Sequence, residues 1–518
     1  MRPEEVTAVL KDRLSQYSEE LELTSTGIVI QVGDGIAQVY GLSEAMSQEL
    51  IDFGNDVFGI ALNLEEDHVG CILLGSDEHI SEGDQARTTG RISQTKVGDA
   101  LFGRVVNPLG EPLDDGGPVD ADQMMPLEVI APGVIKRQPV TEPLLTGIKA
   151  IDAAIPIGRG QRELIIGDRQ TGKTQIAVDT IINQRDTDVK CIYVAIGQKL
   201  SAVRRLQATL DQHGALDYTC IVAANASDPA ALQYIAPYAG CAIGEAVRDA
   251  GGHALMVYDD LSKHAVAYRQ VSLLMRRPPG REAYPGDIFN LHSRLLERAA
   301  KMSDKEGAGS LTALPIVETQ EGDFSAYIPT NIVSITDGQI YLDPKLFHEG
   351  QRPAINIGAS VSRVGSDAQS KMMKTVGSRL KLDLAHYREY EAFAQFGADL
   401  DEETRGILEQ GQRMIEVTKQ PPLEPVPEVD QVIALFAGTR GHLADVPTVD
   451  VREFEQLLIQ YLHNKHADLV DRLKRTRQLS DADQKELAQA VETCKREWRL
   501  QHTDTENQQP DSAGRTGG

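Results

Sequence analysis

The chain changes its hydrophobic rhythm several times. Between residues 3 and 17, Val6, Val9, Leu10, Leu14 and Tyr17 recur at helical spacing with charges between them. That pattern predicts an amphipathic helix, either folded back on the next unit or offered to a partner. From Thr26 to about Arg91 the rhythm shortens. Ile28, Ile30 and Val32 alternate with other residues, Gly33-Asp34-Gly35 turns the chain, and an apolar run follows over 36–40. This is a hairpin signal. Further short strands are predicted over 59–64, 69–74 and 87–92, each bounded by Gly or Asp. Short strands at this spacing predict a small closed β-barrel.

Residues 103–118 are turn-rich and read as a domain junction. Beyond them, apolar runs alternate with helical patterns. Strands are predicted at 164–166, 191–196, 219–223 and 253–258. Val203, Leu206 and Leu210 mark a helix that Gly214 stops. Ser227-Asp228-Pro229 opens another, with a cap and a Pro in its first turn. Alternation of this kind predicts a mainly parallel sheet with helices on both faces. Ligands then sit at the carboxyl ends of the strands. Past about residue 370 the strands stop. Phe454, Leu457, Leu458, Tyr461 and Leu462 lie on one helical face. The helical region is predicted to end near Leu500, and the polar segment 502–518 to be disordered.

The strand predicted at 164–166 ends in Gly167-Asp168-Arg169-Gln170-Thr171-Gly172-Lys173-Thr174. These eight residues fit the P-loop pattern G-x-x-x-x-G-K-[ST], and the next stretch reads as a helix. Such a loop turns backbone N–H groups inward at a helix N-terminus, which favours a polyphosphate. Gly167 and Gly172 permit the tight backbone. Lys173 is expected to reach the β- and γ-phosphates, and the Thr174 hydroxyl to ligate Mg²⁺.

Composition narrows the partners. The chain has 518 residues and a net charge of −25, with a pI of about 4.9. Non-specific nucleic-acid binding is disfavoured. No window approaches the ~18 uninterrupted apolar residues of a membrane span. The N-terminus lacks a signal peptide's apolar core. Cys71, Cys191, Cys220, Cys241 and Cys494 are scattered and read as reduced packing residues of a cytosolic protein.

Three further residues bear on chemistry. The apolar run 254–258 leads into Asp259-Asp260. An acid at a strand end downstream of a P-loop suits a water-mediated Mg²⁺ contact, so Asp259 is assigned to it, while Asp260 is placed as a cap of the following helix. The run 191–196 ends in Gly197-Gln198, where a hydrolysing ATPase of this layout needs a Glu to polarise water. A neutral amide is a poor proton acceptor, so the chain is expected to bind nucleotide and scarcely turn it over. Arg363 sits among small and apolar residues beside Gly365. Its spacing alone favours a salt bridge or an exposed charge over a functional guanidinium.

The stretch 156–174, Tyr258-Asp259-Asp260-Leu261-Ser262-Lys263, the stretch 276–287 and Val361-Ser362-Arg363-Val364-Gly365-Ser366 closely resemble the α subunit of F-type ATP synthases. The resemblance runs from the first helix to about residue 500. It implies an α/β P-loop NTPase core of the RecA-like kind, preceded by a β-barrel and followed by a helical domain. The expected divisions are a docking helix over 1–23, the barrel over 24–92, the nucleotide-binding domain over 93–372, the helical domain over 373–501 and a tail over 502–518. It implies a regulatory ATP/ADP and Mg²⁺ site that is itself non-catalytic, which Gln198 matches. It also implies three α subunits alternating with three β subunits around a central stalk γ. The first helix matches the segment that meets the peripheral stalk, δ and b. The family's arginine, matching Arg363, reaches the nucleotide of the adjacent β subunit. Phe347, Arg352, Pro353 and Gln420 match positions around the adenine, but Pro422 stands where the family usually has a second Gln. The complex joins a membrane ion-translocating sector, so the chain is expected peripherally on the cytoplasmic face of a bacterial or archaeal plasma membrane, with no nucleic-acid partner.

Two alternatives make different demands. A self-sufficient homohexameric ATPase of the export type needs a water-activating Glu at position 198. An RNA-dependent hexameric helicase needs a basic or aromatic face on the barrel. The barrel instead carries Glu65, Glu66, Asp67, Asp77, Glu78 and Asp84.

Overall fold

The computed structural model describes residues 25–55, 57–121, 123–394 and 401–506. The helix expected over 3–17 therefore lies outside the described residues.

Six strands close into a barrel: β1 (Thr26–Gly33), β2 (Ile36–Tyr40), β3 (Glu49–Asp52), β4 (Phe58–Leu64), β5 (His68–Leu73) and β6 (Gln85–Ile92), in the order β1-β2-β5-β4-β3-β6. Small and β-branched side chains fill its interior, among them Ala37, Val39, Ala61, Val69 and Ala86. The phase of β1 differs from the expected one. Ile28 and Ile30 are about half exposed, and Val29 lies inside. Ile28-Val29-Ile30 is apolar throughout, so alternation could not choose the inner face. Packing chooses it: a Cβ on Gly27 would lie 2.6 Å from Tyr40 O, so the Gly27–Val29 side faces the tight interior. β3 has no alternating pattern and was not predicted. Its Glu49 is buried and accepts hydrogen bonds from Met46 N (2.7 Å) and Gly90 N (2.8 Å).

After the barrel, β7 (Gln94–Val97) pairs with β9 (Gln123–Pro126) in a ribbon, and β8 (Val105–Val106) lies between them in sequence. The stretch read as a junction thus contributes an edge strand to the main sheet. That sheet uses β10 (Leu164–Asp168), β11 (Val189–Gln198), β12 (Thr219–Asn225), β13 (His253–Asp259), β14 (Ser310–Thr319), β15 (Gly338–Leu342) and β16 (Val361–Ser362). Its order is β16-β15-β10-β14-β13-β11-β12-β8, parallel except for the β15–β16 pair. Strands buried on both faces read as continuous apolar runs, as Cys191 to Ile196 does. Alternate residues feed two cores. Ile165, Tyr193 and Leu255 pack with the C-terminal helices, from Met372 to Trp498. Ile166, Val194 and Met256 pack on the other face, with the helix Ala230–Asp249 and with Ile36, Ile60 and Ile72 of the barrel.

The helix Ala230–Asp249 corrects one expectation. Pro229 occupies the N-cap position and no side chain caps the helix. The Asp228 carboxylate is instead held by Asn225 N at 2.7 Å, closing the turn that leaves β12. The last helix, Asp481–Glu506, also carries past Leu500, so residues 502–506 belong to it rather than to a tail. The remainder, 507–518, lies outside the described residues. All five cysteines are buried and free, as expected.

One buried ion pair ties the second core together. Arg298 and Glu245 are each 1% exposed and bonded to one another. Arg298 Nη1 also donates to Leu127 O (2.7 Å), and Arg248 Nη1 donates to Arg298 O (2.6 Å). Removing one member of such a pair strands a charge and costs ~3–5 kcal/mol. Glu245→Ala is therefore expected to lower stability by about that amount, seen as a lower midpoint in urea unfolding. Replacing Arg298 by Met in the same chain should restore part of the loss.

Candidate functional site

β10 ends at Asp168, and the helix Lys173–Ile182 begins five residues later. The intervening loop is tight for identifiable reasons. A Cβ on Gly167 would meet Leu342 O at 2.7 Å. Gly172, the N-cap residue, has φ 99°, and the space over its Cα is open. The Asp168 carboxylate is engaged by the end of β14 and the segment after it. It accepts from Thr319 Oγ1 (2.6 Å) and Gly322 N (2.9 Å), which anchors the loop to the end of β14. Thr171 Oγ1 donates to Asp168 O at 2.8 Å. Arg169 and Gln170 are exposed on the rim.

Lys173 is buried, and its ammonium donates to Gly167 O (2.8 Å) and Asp168 O (2.5 Å). Burial lowers its pKa from the ordinary value, and the carboxylates of Glu318, Asp260, Asp259 and Asp168 oppose that shift. Thr174 Oγ1 donates to Asp259 Oδ2 at 2.8 Å. The sheet explains why this acid is available. β13 lies beside β11, with Asp259 opposite Ala195, so the carboxylate emerges at the same end as the loop. Tyr193, two residues back on β11, donates its hydroxyl to Asp259 Oδ2. Burial, with Asp259 second, raises the Tyr193 pKa well above its usual value and keeps the phenol protonated. Gln198 Nε2 donates to Asp259 O at 3.0 Å. Asp260 caps the next helix by accepting from Lys263 N (2.8 Å), as its sequence position suggested. Two oxygen donors, Thr174 and Asp259, thus meet beside the phosphate loop. That set suits Mg²⁺, which is bound through one or two protein oxygens, phosphates and water.

A cavity of about 290 Å³ continues from the loop. Phe347, Arg352, Pro353 and Gln420 line it, and the Arg352 guanidinium lies over the Phe347 ring at 4.8 Å. The Gln420 amide is committed to the backbone. Its Nε2 donates to Gly147 O (2.8 Å) and Glu424 O (2.7 Å), and its Oε1 accepts from Lys149 N (3.2 Å). Pro421 and Pro422 add an apolar wall. Sequence reasoning missed Ile148, Gln175, Ile176, Asp179 and Leu342, which also line it. A signal for three of these was present. Positions 175, 176 and 179 follow Gly172 by three, four and seven residues, which is one helix face. Ile148 and Leu342 are brought in only by tertiary packing. Tyr193 was missed because a residue in a buried strand reads as core.

Arg363 is placed apart from this site. Val361 pairs with Gln339, and Gln339 with Leu164, at the start of β10, whereas Gly167 at its end pairs with Leu342. Arg363 therefore lies at the amino edge of the sheet, opposite the phosphate loop. Its N–H donates to Asp337 O (2.8 Å), and its side chain is exposed. Its charge bears on Glu163, a buried carboxyl whose pKa burial raises well above the usual range.

Three family profiles match in chain order. The ATP synthase alpha/beta family β-barrel domain covers residues 24–90, its nucleotide-binding domain 147–362 and its C-terminal domain 369–494. A curated relative, ATP synthase subunit alpha of Desulfovibrio desulfuricans, is 57% identical over 498 residues, covering 96% of this chain and 99% of the relative. With its barrel, its phosphate loop on a parallel sheet and its helical C-terminal part, the chain belongs to the ATP synthase alpha/beta family, as an α-subunit member.

Proposed function

We propose that the chain is the regulatory nucleotide-binding subunit of the F1 sector of a rotary ATP synthase. It holds Mg-ATP or Mg-ADP without turning it over and lends Arg363 to the catalytic site of an adjacent β subunit. The observation that carries the reading is the separation of Arg363 from the chain's own phosphate loop across the sheet. A guanidinium exposed at the amino edge cannot serve the nucleotide bound at the carboxyl ends of the same strands. It can serve a nucleotide on a neighbouring subunit, where it offsets charge developing on the transferring phosphoryl.

Within the chain's own site, Lys173 and the loop N–H groups hold the β- and γ-phosphates. Thr174 would ligate a bound Mg²⁺ and Asp259 would hold it through water, and the metal's charge would then offset that of the phosphates. Gln198 offers water no base, and its Nε2 is already turned to Asp259 O. This disfavours the self-sufficient export-type ATPase. Ile130, Val134 and Ile135 are almost fully exposed. An apolar segment of this kind supports the alternation with β around the γ stalk. Coupling to H⁺ or Na⁺ flow passes through the membrane sector. Among the described residues no helix is long and apolar enough to cross a membrane, which agrees with a peripheral place on the cytoplasmic membrane face. Docking to δ and b falls to residues 1–23.

The purified chain is expected to bind Mg-ATP, and Lys173→Ala to weaken that binding ~10²-fold or more. Hydrolysis by the chain alone should not exceed that of the Lys173→Ala control. Lys173-dependent turnover would instead favour the export-type ATPase. In the assembled complex, Arg363→Ala is expected to lower multisite turnover ~10³-fold or more while α still binds nucleotide. Wild-type turnover in that variant would remove the assignment.

A further inference from the structure

The base end of the cavity holds few polar groups free to read a base. Gln420 spends both amide N–H groups and its oxygen on the backbone. Pro421 and Pro422 have no polar side-chain atom to offer. The Arg352 guanidinium lies over the Phe347 ring. Besides Gln170, Thr171 and Gln175, the polar wall includes Asp179, a carboxylate 6% exposed on the second turn of the helix that starts at Lys173.

The surroundings hold this carboxylate in one orientation. Its Oδ1 accepts from Gln175 Nε2 (2.8 Å) and from Leu423 N (2.8 Å). Leu423 adopts φ 64°, unusual for a residue with a branched side chain, and so turns its N–H toward Asp179. Among the described residues Oδ2 accepts no hydrogen bond, and Asp179 lines the cavity. Oδ2 is not sealed in the core but open to the cavity, where a ligand N–H can reach it. Burial of the residue pushes the Asp179 carboxyl up to about 6.

We propose that Asp179 is a specificity-determining residue of this site, its Oδ2 accepting a hydrogen bond from the exocyclic amino group of adenine. The assignment rests on the nucleotide-binding reading above. Only one oxygen is available, because Oδ1 is already saturated. Guanine recognition by a carboxylate uses two adjacent N–H groups on two oxygens, so this wall suits the single amino donor of adenine. The 6-oxo group of hypoxanthine would set an acceptor against an acceptor. Hydrogen bonds to charged groups are worth roughly ten- to hundredfold in affinity.

The test compares Mg-ATP and Mg-ITP binding to the full chain by equilibrium dialysis at pH 8, with Lys173→Ala as the control. The wild type should prefer ATP by ~10-fold or more. Asp179→Asn should invert that preference. Its oxygen must stay on Leu423 N and Gln175, because its NH₂ would clash with both donors, so the NH₂ faces the cavity and suits a 6-oxo base. Equal binding of ATP and ITP by the wild type overturns the proposal without any variant. An ATP-to-ITP ratio unchanged in Asp179→Asn overturns it as well. So does a change confined to the ratio of ATP to 2′-deoxy-ATP, which would move the contact to the ribose. Absence of Lys173-dependent binding of either nucleotide to the wild type would overturn the underlying site reading itself, a result distinct from a missing base preference.

Discussion

A parallel sheet has two unlike ends, and this asymmetry governs the molecule. Every strand from β10 to β15 exits at the same end, so the loops after β10, β11, β13 and β14 converge there. That convergence brings Lys173, Gln198, Asp259 and Thr319 to one place from four distant parts of the sequence. It also excludes Arg363. The antiparallel β16 returns the chain toward the start of β10, so the arginine emerges where the strands begin. One sheet therefore has two separated ends, one carrying the phosphate loop and one carrying Arg363.

The phosphate-loop end manages its charge by pairing and capping. Asp168 is engaged by Thr319 and Gly322, Asp260 caps a helix, and Asp259 is shared by Thr174 and Tyr193. Three of the four carboxylates near Lys173 thus have donors of their own. The lysine's buried ammonium is stabilised by nearby negative charge and is held by main-chain carbonyls rather than by a direct carboxylate contact. A lysine held this way can exchange carbonyl oxygens for phosphate oxygens at small cost.

The local part of this arrangement was legible in the sequence. The loop 167–174, the strand before it, β11 to β13 and the acid at Asp259 follow from apolar runs punctuated by Gly and acidic residues, whereas β14 and β15, which flank β10, were not expected. The barrel was legible as a class, although the inner face of β1 was not, because Ile28-Val29-Ile30 carries no phase. β3 and β8 were missed because four- and two-residue strands have too few positions to show a period. Tyr193 and Leu342 could not be singled out, since their importance comes from strand register and not from neighbours in sequence. Arg363 shows the opposite limit. Its local spacing suggested nothing, and only the resemblance and then the topology gave it a place.

The base side of the cavity depends on the C-terminal part of the chain. Gln420 and Pro422 lie past the second of the C-terminal helices, yet they close a wall begun by Ile148 and Phe347. The closure is fastened twice. Lys149, whose N–H donates to Gln420 Oε1, sends its ammonium to Glu455 Oε1 at 2.5 Å, on the helix Val451–Lys465. Asp152, three residues on, accepts from Thr146 N (2.9 Å) and Gln431 Nε2 (2.8 Å). Leu423 N then reaches Asp179 on the phosphate-loop helix. The cavity wall is thus also the seam between the sheet and the helical domain. A ligand bound across a seam favours the seam's closed arrangement by mass action. A ligand bound in this cavity would thus be linked to the seating of the helical domain.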